Sequence, residues 1–282
     1  MPTLHRDTQP ISLVQISDIH YDHHPIRISD NFMTKVIATV NNLKPDIVVI
    51  TGDLVQCDPE PIHDLLNKHL SKINSKYGIY CILGNHDYKK EHGSQYIKDV
   101  LANSNIKLLV NEVCWPFGRG DGKLQLSGLG DMNKRRNDFN LEPIREDLLD
   151  PNTPRLVLSH NPDSHVKFKE FNVDLILSGH THGGQICLPN GKPIIPILDR
   201  FVRLIPKRIL TMVSYPRGVV KNWELASGLI KLRDLPSNSS TTSSNPPRSS
   251  YIYVNRGLAT HPPLRLFCDP EITHITLLPH SP

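Results

Sequence analysis

The sequence predicts an α/β fold in which two sheets pack together with helices outside. Two observations predict it. Through the first two thirds of the chain, short β-branched runs alternate with segments of helical period, the rhythm of parallel strands joined by crossover helices. The last third carries strand-like runs at 252–254 and 272–278 without clear helices between them, which a second sheet accommodates.

The elements follow in order. Residues 11–17 (ISLVQIS) read as a strand. In 31–43, apolar residues at 32, 33, 36, 37, 40 and 43 have a helical period. Residues 46–51 (DIVVIT) read as a buried strand, 59–74 as helical, 78–83 (GIYCIL) as a strand and 95–102 as a helix. Further strands are expected at 106–110, 124–127, 155–159 and 173–178. Residues 236–250 hold seven Ser, two Thr and three Pro, a composition with little to bury. They are expected to form a mobile loop capping a hairpin between 228–233 and 252–254. The expected organisation is one domain over 1–282.

Composition narrows the function. Hydrophobic residues make up 38% and charged residues 21%, which excludes a wholly disordered chain. Nowhere is there a run of about 18 apolar residues, and the opening MPTLHRDTQP lacks an apolar signal core. The expected location is therefore the cytoplasm. Lys+Arg 32 against Asp+Glu 28 gives +4, compatible with an anionic substrate without calling for nucleic acid. The five cysteines (57, 81, 114, 187 and 268) form no C-x-x-C pair, so neither a zinc knuckle nor a disulfide framework is indicated.

The informative pattern lies where strands end. ISLVQIS runs into Asp18-Ile19-His20, DIVVITG into Asp53, and YCILG into Asn85-His86-Asp87. RLVLS runs into His160-Asn161, and VDLILSG into His180-Thr181-His182. Ligands of α/β sheets sit outside the carboxyl ends of strands, so residues distant in sequence can meet on one edge. Gly52, Gly84 and Gly179 precede three of these exits, where a glycine permits a tight turn or close backbone approach. Taken singly, each residue has a plainer reading: Asp53 as a helix cap or turn residue, His160 as a surface histidine, one of His180 and His182 facing solvent. Five such exits in one chain argue for a shared metal site. Oxygen and imidazole donors without sulfur suit manganese, iron(II) or zinc. Seven candidate ligands exceed one tetrahedral site and suit two adjacent ions about 3.5–4 Å apart, with a carboxylate bridging them.

These residues form the motifs D-I-H (18–20), G-D-L-V (52–55), G-N-H-D (84–87), S-H-N-P (159–162) and G-H-T-H (179–182). In order and spacing the set resembles the calcineurin-like metallophosphoesterase family. The continuation Gly183-Gly184-Gln185, and Asn255-Arg256-Gly257 before 262–267, resemble its bacterial YkuE/YaeI-like phosphodiesterase subgroup. The resemblance implies a four-layer α/β/β/α sandwich of two mixed sheets flanked by helices. It implies two divalent metal ions, with manganese preferred and iron or zinc as alternatives. Asp18, His20 and His182 would hold one ion, Asn85, His160 and His180 the other, and Asp53 would bridge. His86 would face the phosphoryl group as a catalytic residue, with second-shell hydrogen bonding as the plainer reading. Asp87 would either orient His86 or cap a helix. The reaction implied is cleavage of a phosphodiester or pyrophosphate by a metal-bridging hydroxide. The segment after Asp53 (Leu54-Val55-Gln56-Cys57-Asp58) lacks the arginine of the serine/threonine phosphatases and the tyrosine of the purple acid phosphatases. His23 and His24 are either further metal contacts or exposed loop residues.

Substrate signals are weaker. In 193–210 a helix over 197–205 would place Leu198, Phe201, Val202 and Ile205 on one face and Arg200 and Arg203 on another, the pattern of an interfacial membrane element. The alternative is an ordinary helix with its apolar face in the domain. The basic run Lys134, Arg135 and Arg136 is either a phosphate-binding loop or a solvated charge run. Arg135, Arg136, Arg200 and Arg203 are thus the candidate substrate-binding residues. The resemblance extends to enzymes acting on lipid-linked substrates, and implies as the leading expectation a substrate such as UDP-2,3-diacylglucosamine, handled at the inner face of a membrane. A soluble broad-specificity phosphodiesterase is its alternative. A non-catalytic protein-binding scaffold is the reading from another class, and the complete ligand set argues against it. No aromatic-basic stripe suggests nucleic acid.

Overall fold

A computed structural model describes residues 9–120, 123–132, 138–202, 219–232, 250–261 and 264–279, with the backbone alone for 199–202. In chain order the elements are β1 (Ile11–Ile16), α1 (Asp30–Asn42), β2 (Ile47–Thr51), α2 (Ile62–Lys68), β3 (Ile79–Ile82), α3 (Gly93–Ala102), β4 (Ile106–Leu108) and β5 (Glu112–Cys114). They continue with β6 (Gln125–Gly128), α4 (Arg145–Leu149), β7 (Arg155–Leu158), β8 (Leu175–Ser178), α5 (Ile195–Val202), β9 (Gly228–Lys231), β10 (Tyr251–Val254) and β11 (Thr273–Leu277).

The strands form two mixed sheets. The first runs β11-β1-β2-β3-β4 and the second β5-β6-β7-β8-β10-β9. β1 to β4 are mutually parallel, as are β6, β7, β8 and β10. The antiparallel strands β11, β5 and β9 lie at the edges. Strand residues alternate between two apolar layers. Val14, Ile16, Val48 and Ile50 pack against Met33, Val36 and Val40 of α1 and Ile97 of α3. Leu13, Ile47, Val49 and Ile82 face Leu126, Leu156, Leu158 and Leu177 of the other sheet. The outer face of the second sheet (Val157, Ile176, Ile252) is covered by Ile144, Leu148 of α4, Phe168 and Phe171. Burial on both faces explains why these parallel strands read as continuous apolar runs. The layers are those expected: helices, sheet, sheet, helices.

Local chemistry sets the ends of the helices. Ser29 caps α1, its hydroxyl accepting from the Phe32 N–H at 3.2 Å. The helix expected over 59–74 is shorter, because Pro61 disfavours helical geometry at Glu60; α2 begins at Ile62 and ends at Lys68, followed by a single 3-10 turn at Leu70–Lys72. β9 and β10 pair antiparallel, as expected of a hairpin. The Ser-rich stretch 236–250 lies outside the described residues except for Ser250. No helix among the described residues is long and apolar enough to cross a membrane.

Because β1, β2 and β3 are parallel neighbours, and β7 and β8 likewise, all five strand exits open on the same edge of their sheets. A buried cross-link aligns the two halves there: Gln15 of β1 donates from its amide to Thr51 Oγ1 at 2.9 Å and to the Ser178 carbonyl of β8 at 3.0 Å.

Candidate metal centre

The chain bends sharply where it leaves the strands. Asp18, His20, Asp53, His180 and His182 all adopt left-handed backbone conformations, with φ between 45° and 73°. This region disfavours non-glycine residues and marks stored strain, of order 1–3 kcal/mol each. The bends turn side chains from two sheets toward one point. Gly84 and Gly179 make the approach possible: a Cβ on Gly84 would sit 2.8 Å from Asp53 Cγ, and one on Gly179 would collide with Asp18 Oδ2 and Ser17 Oγ.

Among the described residues three donor groups result, two of which contain a carboxylate. Asp18, His20 and His182 form one, and Asp53, His160 and His180 the other; within each group the donor atoms lie within 4.8 Å of one another. His20 Nε2 is 3.0 Å from His182 Nε2. His182 Nε2 is 3.4 Å from Asp18 Oδ1. Asp53 Oδ2 stands between the groups, 3.5 Å from His20 Nε2 and 3.2 Å from His160 Nε2. Asn85 Oδ1 reaches His160 Nε2 at 3.2 Å. Two donors each about 2.1 Å from a common cation, at angles near those of tetrahedral or octahedral coordination, are themselves about 3.0–3.4 Å apart. The observed spacings fit such a cation on each side of Asp53.

The rings are also set in the right tautomers. His160 Nδ1 meets the Thr51 carbonyl at 2.7 Å, and His182 Nδ1 the Ala259 carbonyl at 3.2 Å. His160 must donate there, which leaves its Nε2 lone pair facing the centre; His182 Nδ1 also lies 3.3 Å from the Arg265 guanidinium, and donating to Ala259 leaves its Nε2 lone pair likewise. His180 is reversed: its Nε2 meets the Val219 carbonyl at 2.9 Å, leaving Nδ1 for the centre. Backbone partners of this kind orient metal-binding imidazoles. His20 Nδ1 is buried with no hydrogen-bond partner.

Electrostatics point the same way. Burial raises the Asp18 and Asp53 carboxyls, but His182 and His20 around the first and His160 and His86 around the second hold both below the ordinary range. Burial lowers His160, yet Asp53 outweighs it and pushes the ring up to about 10. Burial carries His180 and His182 downward. Two buried carboxylates thus stay ionised, supplying the negative charge that a cation site needs.

His86 lies beside this centre, edge-on to His20 with ring centroids 4.5 Å apart. Its backbone N–H donates to Asp53 Oδ1 at 2.7 Å. Its Nδ1 has two partners, the Gln56 carbonyl at 2.8 Å and Lys89 Nζ at 2.7 Å. Donating to Gln56 leaves a lone pair on Nε2; accepting from Lys89 leaves an N–H there. Burial lowers the ring to about 4. The role of orienting His86 that sequence offered to Asp87 falls to these partners. Asp87 instead accepts from the Val55 N–H at 3.0 Å and the Gly84 N–H at 2.8 Å, tying together the exits of β2 and β3. Burial and the neighbouring Asp53 push its carboxyl up to about 8.

His23 and His24 are exposed, and His23 pairs with Asp64 at 3.1 Å. Arg135, Arg136 and Arg203 lie outside the described residues, and Arg200 is described only as backbone within α5. Sequence reasoning missed two residues of the loop after β10. His261 stacks edge-on to His20 (4.6 Å) and His182 (4.5 Å). Arg265 donates to the carbonyls of Arg256, Gly257, Ala259 and Cys268, which holds that loop in shape.

A cage of carboxylates, imidazoles and one amide, on the shared edge of two packed mixed sheets, is suited to holding divalent cations. The profile of the calcineurin-like phosphoesterases matches residues 11–184, and the chain belongs to that family. It is 34% identical to an uncharacterized metallophosphoesterase of Campylobacter jejuni, over 66% of this chain and 47% of that one; the match thus spans about half that relative's length. It is 32% identical to the uncharacterized metallophosphoesterase YkuE of Bacillus subtilis, over 94% of this chain and 78% of the relative. It is 27% identical to the UDP-2,3-diacylglucosamine pyrophosphatase LpxG of Chlamydia trachomatis, over 93% and 82%.

Proposed function

We propose that this chain hydrolyses a phosphodiester or pyrophosphate bond using two divalent ions, manganese for preference. Asp18, His20 and His182 would hold one ion, Asn85, His160 and His180 the other, with Asp53 shared. The observation that carries this is the set of 3.0–3.5 Å spacings among donors drawn from both sheets. When bound, such ions polarise a phosphoryl oxygen and lower the pKa of water toward neutrality. The protein's own residues do the rest. Backbone carbonyls hold the imidazole tautomers. The His86 backbone N–H fixes Asp53, and the His86 ring, with Nε2–H presented, donates to the phosphoryl oxygen as charge develops on it, or passes that proton to the departing oxygen while its Nδ1 takes one from Lys89 Nζ, 2.7 Å away. Phosphate anions are drawn in because two dications exceed the charge of two carboxylates.

Within that class we favour a lipid-linked pyrophosphate, of which UDP-2,3-diacylglucosamine is the model. The relative LpxG supports it, as does an apolar rim. Ile186 bridges to Leu266 beside the His182 turn, and Leu264 and Phe267 are exposed nearby. In α5, Ile195 is buried against Trp223 and Val220, while Ile197 and Leu198 remain exposed. That leaves apolar surface for an acyl chain or the inner face of a membrane. Manganese-dependent turnover of UDP-2,3-diacylglucosamine alongside bis-p-nitrophenyl phosphate tests both levels. Hydrolysis of the simple diester alone would leave a broad-specificity phosphodiesterase. No turnover, with no metal bound, would leave a scaffold.

A further inference from the structure

We propose that His261 is a further substrate-contacting residue, forming with His86 an imidazole pair that grips the phosphoryl group. The inference rests on the phosphoesterase reading and adds to it a residue from outside the strand-exit motifs.

His20 is flanked edge-on by both rings, at 4.5 Å for His86 and 4.6 Å for His261, and the flanking rings are 5.5 Å apart. One nitrogen from each of the three lies within 4.8 Å of the others. The cation-facing imidazoles gather with carboxylates: His20, His160 and His182 each approach an Asp53 or Asp18 oxygen at 3.5 Å or less, and His180 groups with Asp53 within 4.8 Å. His86 and His261 gather with His20 instead. Both are half-buried, as is His180 on the far side, whereas the His20 and His182 rings between which they stand are buried, so the pair lies on the open side of His20. That is where a phosphate oxygen would enter.

Both rings are carried on backbone pinned to the centre. The His86 N–H donates to Asp53 Oδ1 at 2.7 Å. The His261 N–H donates to Gln185 Oε1 at 2.7 Å, three residues beyond His182, and the loop behind it is clamped by Arg265. These anchors use backbone atoms of His86 and His261, so their side chains can be exchanged without untying the loops. An imidazole N–H on each side of the entering group would give two directed donors to non-bridging oxygens.

The test compares manganese-loaded wild type with His261→Ala and His261→Gln. Three quantities are read: metal content by elemental analysis, the Kd of inorganic phosphate by calorimetry, and kcat and KM on bis-p-nitrophenyl phosphate. Full metal content is expected in both variants. In His261→Ala, phosphate should bind at least about tenfold more weakly, the scale of one hydrogen bond to a charged group, and kcat/KM should fall by a similar factor. His261→Gln, which keeps a donor, should recover part of the phosphate affinity. Phosphate affinity within twofold of wild type in both variants would overturn the proposal. So would loss of metal from His261→Ala, which would make His261 a ligand. If wild type binds phosphate but hydrolyses no diester, the hydrolase reading fails, while the phosphate comparison still decides the role of His261.

Discussion

Adding one methyl group at Gly84 should disable the centre without touching a donor. The φ of Gly84 is not in the left-handed region, so alanine there meets a packing problem and no backbone strain. Its Cβ would lie 2.8 Å from Asp53 Cγ and 2.5 Å from Asp53 N, with Oδ1 closer still. Carbon atoms in contact prefer about 3.5–4.0 Å, so Asp53 must retreat by about 1 Å. That movement breaks the 2.7 Å hydrogen bond from the His86 N–H and opens the 3.2 Å and 3.5 Å spacings to His160 and His20. A misplacement of about 1 Å in a catalytic constellation costs about 10²-fold in rate, or about 2.7 kcal/mol of transition-state stabilisation. Overpacking should also cost about 1–3 kcal/mol of stability. The assay is kcat/KM on bis-p-nitrophenyl phosphate under saturating manganese, with metal content measured on the same sample. Gly228→Ala is the control: its φ is +86° but a Cβ there meets nothing within 4 Å, so it should cost about 1–2 kcal/mol of stability and leave kcat/KM unchanged. If Gly84→Ala keeps its metals and a kcat/KM within threefold of wild type, the central position given to Asp53 is wrong.

Three further outcomes are expected. His86→Ala should retain both metals and lose about 10²–10⁴ in kcat; metal loss instead would assign His86 to the ligand set. Chelation should lower the melting temperature, because each ion present at about 100 times its Kd adds about 2.7 kcal/mol, worth about 5–10 °C in a chain of this size; an unchanged melting curve would remove the ions from the fold. The third concerns alkaline pH. Burial between the sheets pushes the Tyr80 hydroxyl up to about 12, so the unfolded chain ionises first. Stability from Tyr80 is complete below about pH 10 and is lost as pH rises toward about 12. Tyr80→Phe should flatten the fall in melting temperature above about pH 10, and an identical fall in the variant would refute that source.

Much of this molecule was legible because parallel strands buried on both faces write themselves as unbroken runs such as IVVIT at Ile47–Thr51. The polar residue that ends each run then marks the ligand edge. β5 escaped notice because three residues, Glu112–Cys114, carry too little alternation to register. The antiparallel pairing of β11 with β1 joins opposite ends of the chain, which no local pattern reports. Asp87 stays open in sequence between orienting His86 and capping a helix, because no motif shows its carboxyl accepting from two backbone N–H groups. His261 was hidden for a different reason. It belongs to the exit of β10, which runs parallel to β8 in register from Tyr251 opposite Leu175 to Val254 opposite Ser178. The available signal was thus a sixth strand end on the same edge, blurred by the six residues between Val254 and the histidine.

The shared edge has a mechanical implication. Four of the donors ride on β1 to β3 and three on β7 and β8, so the gap they span is set by the thickness of the leucine-rich filling between the sheets, Leu13 and Val49 on one side and Leu158 and Leu177 on the other. A side chain swapped deep in that filling would act as a shim, widening or narrowing the jaws of the reactive centre from a distance. Enzymes of this build are therefore tuned from the inside, by volumes that never meet the substrate.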